Sequence, residues 1–216
     1  MSTRLKAVTL AGPAGALEAI LHEREPGPPA VAALVCHPHA MHGGTMHNKV
    51  THRVASVLHD LGAAALRFNF RGAGRSEGRF DRGEGELEDA RAALAWLGHR
   101  YPDARLWVAG FSFGSWIAAR LAASEPGVVR LILVAPPVQQ SSFEVLRRCP
   151  VPKLVLQGTR DDICPLEALL LEFPGWMEPR RLIPVSEATH FFDRQLGVLG
   201  ELLAGAIGEI ARPTPR

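Results

Sequence analysis

The chain has 216 residues, 47% hydrophobic and 21% charged, which fits one globular α/β domain with a full core and excludes a disordered protein. Lys and Arg number 24 against 22 Asp and Glu, a net charge of +2 with the basic residues scattered, which excludes the concentrated positive face of a nucleic-acid binder. Three cysteines in no zinc-type spacing, and an apolar stretch from Ala7 to Leu21 interrupted by Gly12, Pro13, Gly15 and Glu18, argue against a secretory or membrane segment and for a reducing cytoplasm.

The first expected element is an antiparallel hairpin, Leu5 to Leu10 and Leu17 to His22, around the turn-forming Gly12-Pro13-Ala14-Gly15. A buried-strand run follows from Val31 to Cys36, then a helix with Val50, Val54, Val57, Leu58 and Leu61 on one face. The run Ala63 to Phe70 is the next strand, and Gly72 and Gly74 after it read as a structural turn rather than a phosphate cradle. Glu84, Glu86, Glu88 and Asp89 gather where the following helix starts, with Leu87, Ala90, Leu94 and Leu97 on its inner face; the acids read as partners for its positive end. Strand Leu106 to Gly110, helix Ser115 to Ser124 and strand Val129 to Ala135 come next. A short helix around Ser142 to Arg148 leads to strands Lys153 to Gln157 and Arg180 to Val185, and a last helix aligns Leu196, Leu199, Leu203, Ile207 and Ile210.

Strands alternating with helices imply right-handed crossovers, hence a doubly wound α/β fold with a mostly parallel sheet of about seven or eight strands. A single domain over residues 1–212 is expected, with a disordered tail over 213–216. Ligands of such sheets bind at the carboxyl ends of the strands, so chemistry belongs in the loops that follow them.

Gly110-Phe111-Ser112-Phe113-Gly114 fits G-x-S-x-G between a strand and a helix, where glycines relieve the crowding of a sharp bend and let Ser112 project. A serine nucleophile needs a base oriented by a carboxylate. His190, after the last strand, and Asp161, after the strand Lys153 to Gln157, follow in the chain order of this fold, with Asp162 an alternative acid. An oxyanion hole needs two backbone N–H donors; Phe113 supplies one, and the loop after Val31 to Cys36 supplies the other at His39, with Ala40 next in line. Phe191, beside His190, and Met41, in the same loop as His39, are candidate substrate contacts. Five of the nine histidines fall between His37 and His52, but their spacing matches no zinc pattern, and they read as loop histidines with no metal. Phe143, Trp176 and Phe192 read as core, and the cysteines as small buried hydrophobes.

With its segment His37-Pro38-His39-Ala40, Gly43-Gly44-Thr45-Met46, Asn48-Lys49-Val50, the chain resembles small bacterial α/β-hydrolases related to dienelactone hydrolase. The similarity continues through Arg67-Phe68-Asn69-Phe70-Arg71-Gly72-Ala73-Gly74-Arg75-Ser76, the Ser112 motif and His190-Phe191-Phe192. Ala40 stands where the group usually has a second proline, and Ser112 where dienelactone hydrolases proper have cysteine. The resemblance favours Asp161 over Asp162, through Gly158-x-x-Asp161-x-x-x-Pro165. It also implies that a cap, where present, follows the strand ending near Ala135, and Pro136 to Pro152 is too short for one. The expected activity is hydrolysis of a small acyl ester or thioester through an acyl-enzyme, with no cofactor. The expected partner is a small acyl substrate, not nucleic acid or membrane, and the oligomeric state stays open. A peptidase or amidase, or a non-catalytic binding protein of this fold, are the alternatives.

Overall fold

Side chains of residues 31–36 alternate between two cores: Leu34 packs on one face, Ala33 and Val35 on the other. The same alternation through the neighbouring strands produces a sheet covered on both sides. The computed structural model describes residues 4–23 and 27–210, and the tail expected over 213–216 lies outside them.

Among the described residues eight strands make one sheet: β1 Arg4–Gly12, β2 Gly15–Glu23, β3 Val31–Cys36, β4 Ala64–Phe68, β5 Arg105–Phe111, β6 Val128–Val134, β7 Lys153–Gly158 and β8 Arg180–Val185. Their spatial order is β1-β2-β4-β3-β5-β6-β7-β8. The β1–β2 and β2–β4 pairings are antiparallel and the remainder parallel. The helices are α1 Lys49–Asp60, α2 Glu84–Arg100, α3 Phe113–Ser124, α4 Leu166–Glu172 and α5 Leu196–Ile210. Val50, Val54 and Leu58 of α1 and Leu199, Leu203 and Ile207 of α5 share one core; Ala90, Leu94 and Leu97 of α2 and Ile117 and Leu121 of α3 share the other. The side chain of Ile210, expected on the α5 face, lies outside the described part. Among the described residues no helix is long and apolar enough to cross a membrane.

Several expected boundaries move. Strand β4 stops at Phe68 rather than Phe70, because Asn69 N–H turns to Glu18 O and Phe70 N–H to a histidine ring. Helix α3 starts at Phe113, directly after Ser112, rather than at Ser115. The expected helix over Ser142 to Arg148 is a single 3₁₀ turn, Glu144–Arg147, so residues 136–152 form no cap. Helix α4 was not foreseen, since of its seven residues only Leu169 is buried and no periodic face is long enough to read.

The acidic cluster of α2 is more specialised than a dipole partner. Glu84 pairs with Arg120 at 2.8 Å, but Glu86 is fully buried and accepts from Asp81 N–H at 2.8 Å and Gly83 N–H at 2.7 Å. Asp89, also fully buried, binds Arg71 through its backbone N–H at 2.9 Å, Nε at 3.0 Å and Nη2 at 2.7 Å. This two-pronged pair ties the turn after β4 to α2. Removing Asp89 leaves the largely covered Arg71 without its two-pronged acceptor and the Arg71 N–H without a partner, so Asp89→Ala should lower the unfolding free energy by about 2 kcal/mol, read from urea denaturation.

Candidate functional site

The sheet changes winding direction between β3 and β5. These strands are neighbours, with Cys36 beside Gly110, although α1, β4 and α2 separate them in sequence. The loops that leave their carboxyl ends therefore diverge and open a crevice.

Ser112 occupies the bend between β5 and α3 at φ 53°, ψ −123°, a backbone conformation that costs a non-glycine residue about 1–3 kcal/mol. The surroundings enforce it: Ser112 N–H donates to Val134 O at 2.9 Å, and Ser112 O accepts from Ser115 N–H at 2.8 Å and Ser115 Oγ at 2.6 Å. The flanking glycines are needed for space, because a Cβ on Gly110 would run into Gly114 O, and one on Gly114 into the carbonyls of Cys36 and His37.

The loop after β3 is fastened by His37, which has no exposed surface. Its Nε2 accepts from Phe70 N–H at 3.0 Å, so Nδ1 carries the proton and donates it to Pro38 O at 2.6 Å. Burial pushes the His37 pKa down to about 4, helped by the neighbouring His39 and opposed by the bond to Pro38. His42 and Gly44 N–H both close back on His39 O at 3.0 Å. Farther along, Met46 N–H donates to Asn69 Oδ1 at 2.7 Å, and Met46 O accepts from the buried guanidinium of Arg67.

The remaining two loops are zipped to each other. Arg160 N–H meets Ala188 O at 2.9 Å, and Glu187 N–H meets Thr159 Oγ1 at 2.8 Å; a Cβ on Gly158 would strike Ala188 O. This closure brings Asp161 Oδ2 to 2.8 Å from His190 Nδ1, and His190 Nε2 to 3.1 Å from Ser112 Oγ. Asp161 Oδ1 accepts from Ile163 N–H at 3.0 Å and Cys164 N–H at 2.7 Å, and Oδ2 also accepts from Gln157 Nε2 at 3.0 Å. Asp162 is exposed, and His190 meets Asp161.

Around Ser112 and His190 lies a cleft of about 700 Å³, lined by His39, Phe80, Phe113, Trp116, Ile163 and Phe191 among others. Burial and nearby His42 lower the pKa of His39, favouring its neutral form. The structure separates the expected substrate contacts: Phe191 lines the cleft, whereas Met41 is 69% exposed and is not among the lining residues. Met41 belongs to the short helical turn Ala40–His42, which has no buried residue. Trp116, Gln140 and Ile163 in the cleft, and Gln157 behind Asp161, had no motif to mark them. Among the described residues, one group of potential metal ligands lies within 4.8 Å of one another: Asp161, Cys164 and His190. Its carboxylate is already saturated by four N–H donors, and burial raises the Cys164 thiol to about 12.

A family model described as serine aminopeptidase, S33, matches residues 32–149. An α/β serine hydrolase homologue from Coxiella burnetii superposes with a TM-score of 0.90 at 39% identity, over 96% of this chain and 99% of that one. A serine hydrolase without lid from Xanthomonas campestris gives 0.90 at 36% identity, over 100% and 99%. An uncharacterized protein of Rickettsia prowazekii is 42% identical over 156 residues, 70% of this chain, and the chain spans 65% of that protein's length.

His37 also links the site to acid stability. Its folded pKa of about 4 lies below the ordinary 6.5, so the unfolded chain takes up the proton first, and stability present above pH 6.5 is lost as pH falls toward 4. At ~1.4 kcal/mol per pH unit, His37→Gln should lose about 2 kcal/mol less than the parent between pH 7 and 4.5, measured by urea denaturation at each pH.

Proposed function

Because the chain belongs to the serine aminopeptidase S33 family of α/β serine hydrolases, we propose that it cleaves small acyl esters or thioesters through a serine-bound acyl intermediate. The observation that carries this reading is the continuous hydrogen-bonded line from buried Asp161 through His190 to Ser112 Oγ, ending on a serine held in a strained bend.

His190 Nε2 accepts the Ser112 proton as Oγ attacks the substrate carbonyl, and Asp161 holds the Nδ1–H and stabilises the imidazolium. The Phe113 and His39 amides bind the oxyanion. Phe113 opens α3, where an N–H has no partner within the helix, and its ring lies 4.9 Å from that of His39. Collapse expels the alcohol or thiol with the proton from His190. Water, deprotonated by the same nitrogen, then attacks the acyl carbonyl, and collapse releases the acid as His190 returns the proton to Ser112 Oγ.

Esters are favoured over aminopeptides by the charge of the cleft. A peptide α-ammonium group needs an anionic partner, and no Asp or Glu is among the described residues lining the cleft.

Ser112→Ala and His190→Ala should each reduce kcat on p-nitrophenyl butyrate by about 10³-fold or more, and the double variant should lose little further, because the members act as one unit. A fluorophosphonate should label the parent but not Ser112→Ala; an unlabelled parent would point to a non-catalytic binding protein.

Asp161→Asn should cost far more activity than Asp162→Asn in folded protein, since asparagine favours the wrong imidazole tautomer. With no cap to cover a long chain, rates on p-nitrophenyl esters should fall from butyryl to palmitoyl, with no jump where the long esters aggregate.

A further inference from the structure

We propose that the cleft holds a subsite for a carboxylate on the substrate, formed by Arg82, so that the preferred substrates are esters combining an apolar or aromatic body with a negative charge. The inference rests on the hydrolase reading above and names its substrate class. Among the described residues lining the cleft, Arg82 is the one lysine or arginine, and none is an Asp or Glu. The other walls are largely apolar: Phe80, Phe113, Trp116, Ile163 and Phe191. A carboxylate entering this space meets one cation and no repelling charge.

The guanidinium is unoccupied by the protein. Nearby Arg71 and Arg120 are each paired with carboxylates, but among the described residues no ion pair or hydrogen bond engages the Arg82 side chain. Its planar fork of donors remains available for a two-point bond to a carboxylate.

The backbone beneath it is built rather than loose. Arg82 has φ 53° and Gly83 φ 99°, two successive left-handed residues, the first disfavoured for a side chain of this size. Buried Glu86 holds the segment from both sides, accepting Asp81 N–H at 2.8 Å and Gly83 N–H at 2.7 Å. Gly83 O accepts from Arg120 Nη1 at 3.2 Å, and a Cβ on Gly83 would run into the Trp116 ring. Trp116 is itself fixed by its Nε1–H bond to Ser142 O at 3.0 Å. The segment that presents the cation is thus pressed onto the aromatic wall that would receive the apolar part of the substrate, and the positive end of α3 at Phe113 adds to the same field.

The test compares p-nitrophenyl esters of terephthalic and adipic acid, each with one free carboxylate, with the same esters bearing a carboxamide in its place. The rigid ring and the long chain keep the free carboxylate from rapidly attacking its own ester. One leaving-group pair, 4-carboxyphenyl and 4-carbamoylphenyl acetate, covers a charge on the alcohol side. The ratio of kcat/KM, charged over neutral, is the readout. It should exceed unity by about tenfold in at least one pair, as expected for a charge-assisted bond, and shrink as salt rises. Arg82→Asn, which suits the left-handed backbone, should reduce that ratio by about tenfold, and Arg82→Lys should keep most of it.

A parent ratio at or below unity in every pair, or a ratio unmoved by Arg82→Asn, overturns the subsite while hydrolysis of the neutral esters leaves the serine hydrolase reading intact. Failure to cleave any member overturns both.

Discussion

How closely the first turn of α3 can lie against the end of β3 governs everything at the carboxyl edge of the sheet. Gly114 sets that distance, since a single methyl group there would collide with the carbonyls of Cys36 and His37. The approach is possible because β3 and β5 are in register with Cys36 beside Gly110, so the Ser112 bend and the His39 loop leave the sheet side by side. Separation in sequence is what makes the crevice: the chain passes through α1, β4 and α2 between these strands, and their loops turn away from each other.

The end of β4 then serves as a bracket rather than as a site. Phe70 N–H, Asn69 Oδ1 and the Arg67 guanidinium each hold a different point of the loop between His37 and Met46. Arg67 is 2% exposed, and the partners it meets are neutral: Met46 O and His22 Nε2, the latter at 3.0 Å. At the opposite edge of the sheet, buried Lys153 gathers the carbonyls of Cys149, Val151 and Met177, all within 2.8 Å of Nζ. In both places a buried cation is satisfied by oriented dipoles, which ties loops together without adding a carboxylate to the core.

The parts of this arrangement visible in the sequence were those with a local cause. The Gly110–Gly114 motif is readable because a strand-to-helix bend has few residue solutions, and the central strands because burial on both faces leaves a continuous apolar run. The chain order of Ser112, Asp161 and His190 follows from topology. Less was legible where meaning depends on a distant partner. Asp89 reads as a helix-start acid until Arg71 arrives from the turn after β4, and Gln157 as one more strand residue until its amide meets Asp161 and Cys164 O. Met41 sits only two residues from His39, yet the helical turn between them carries it out of the cleft, a rotation that apolar character cannot reveal.

The four N–H groups around Asp161 have one more consequence. Oδ1 takes two backbone donors and Oδ2 takes Gln157 and His190, which uses the acceptor positions of a carboxylate in full. A group bonded on every side has a single orientation, and through Nδ1 it gives the imidazole a single orientation as well. The entropy of aligning carboxylate and imidazole is therefore surrendered once, when the chain folds. What stays adjustable is the rotor of one hydroxyl.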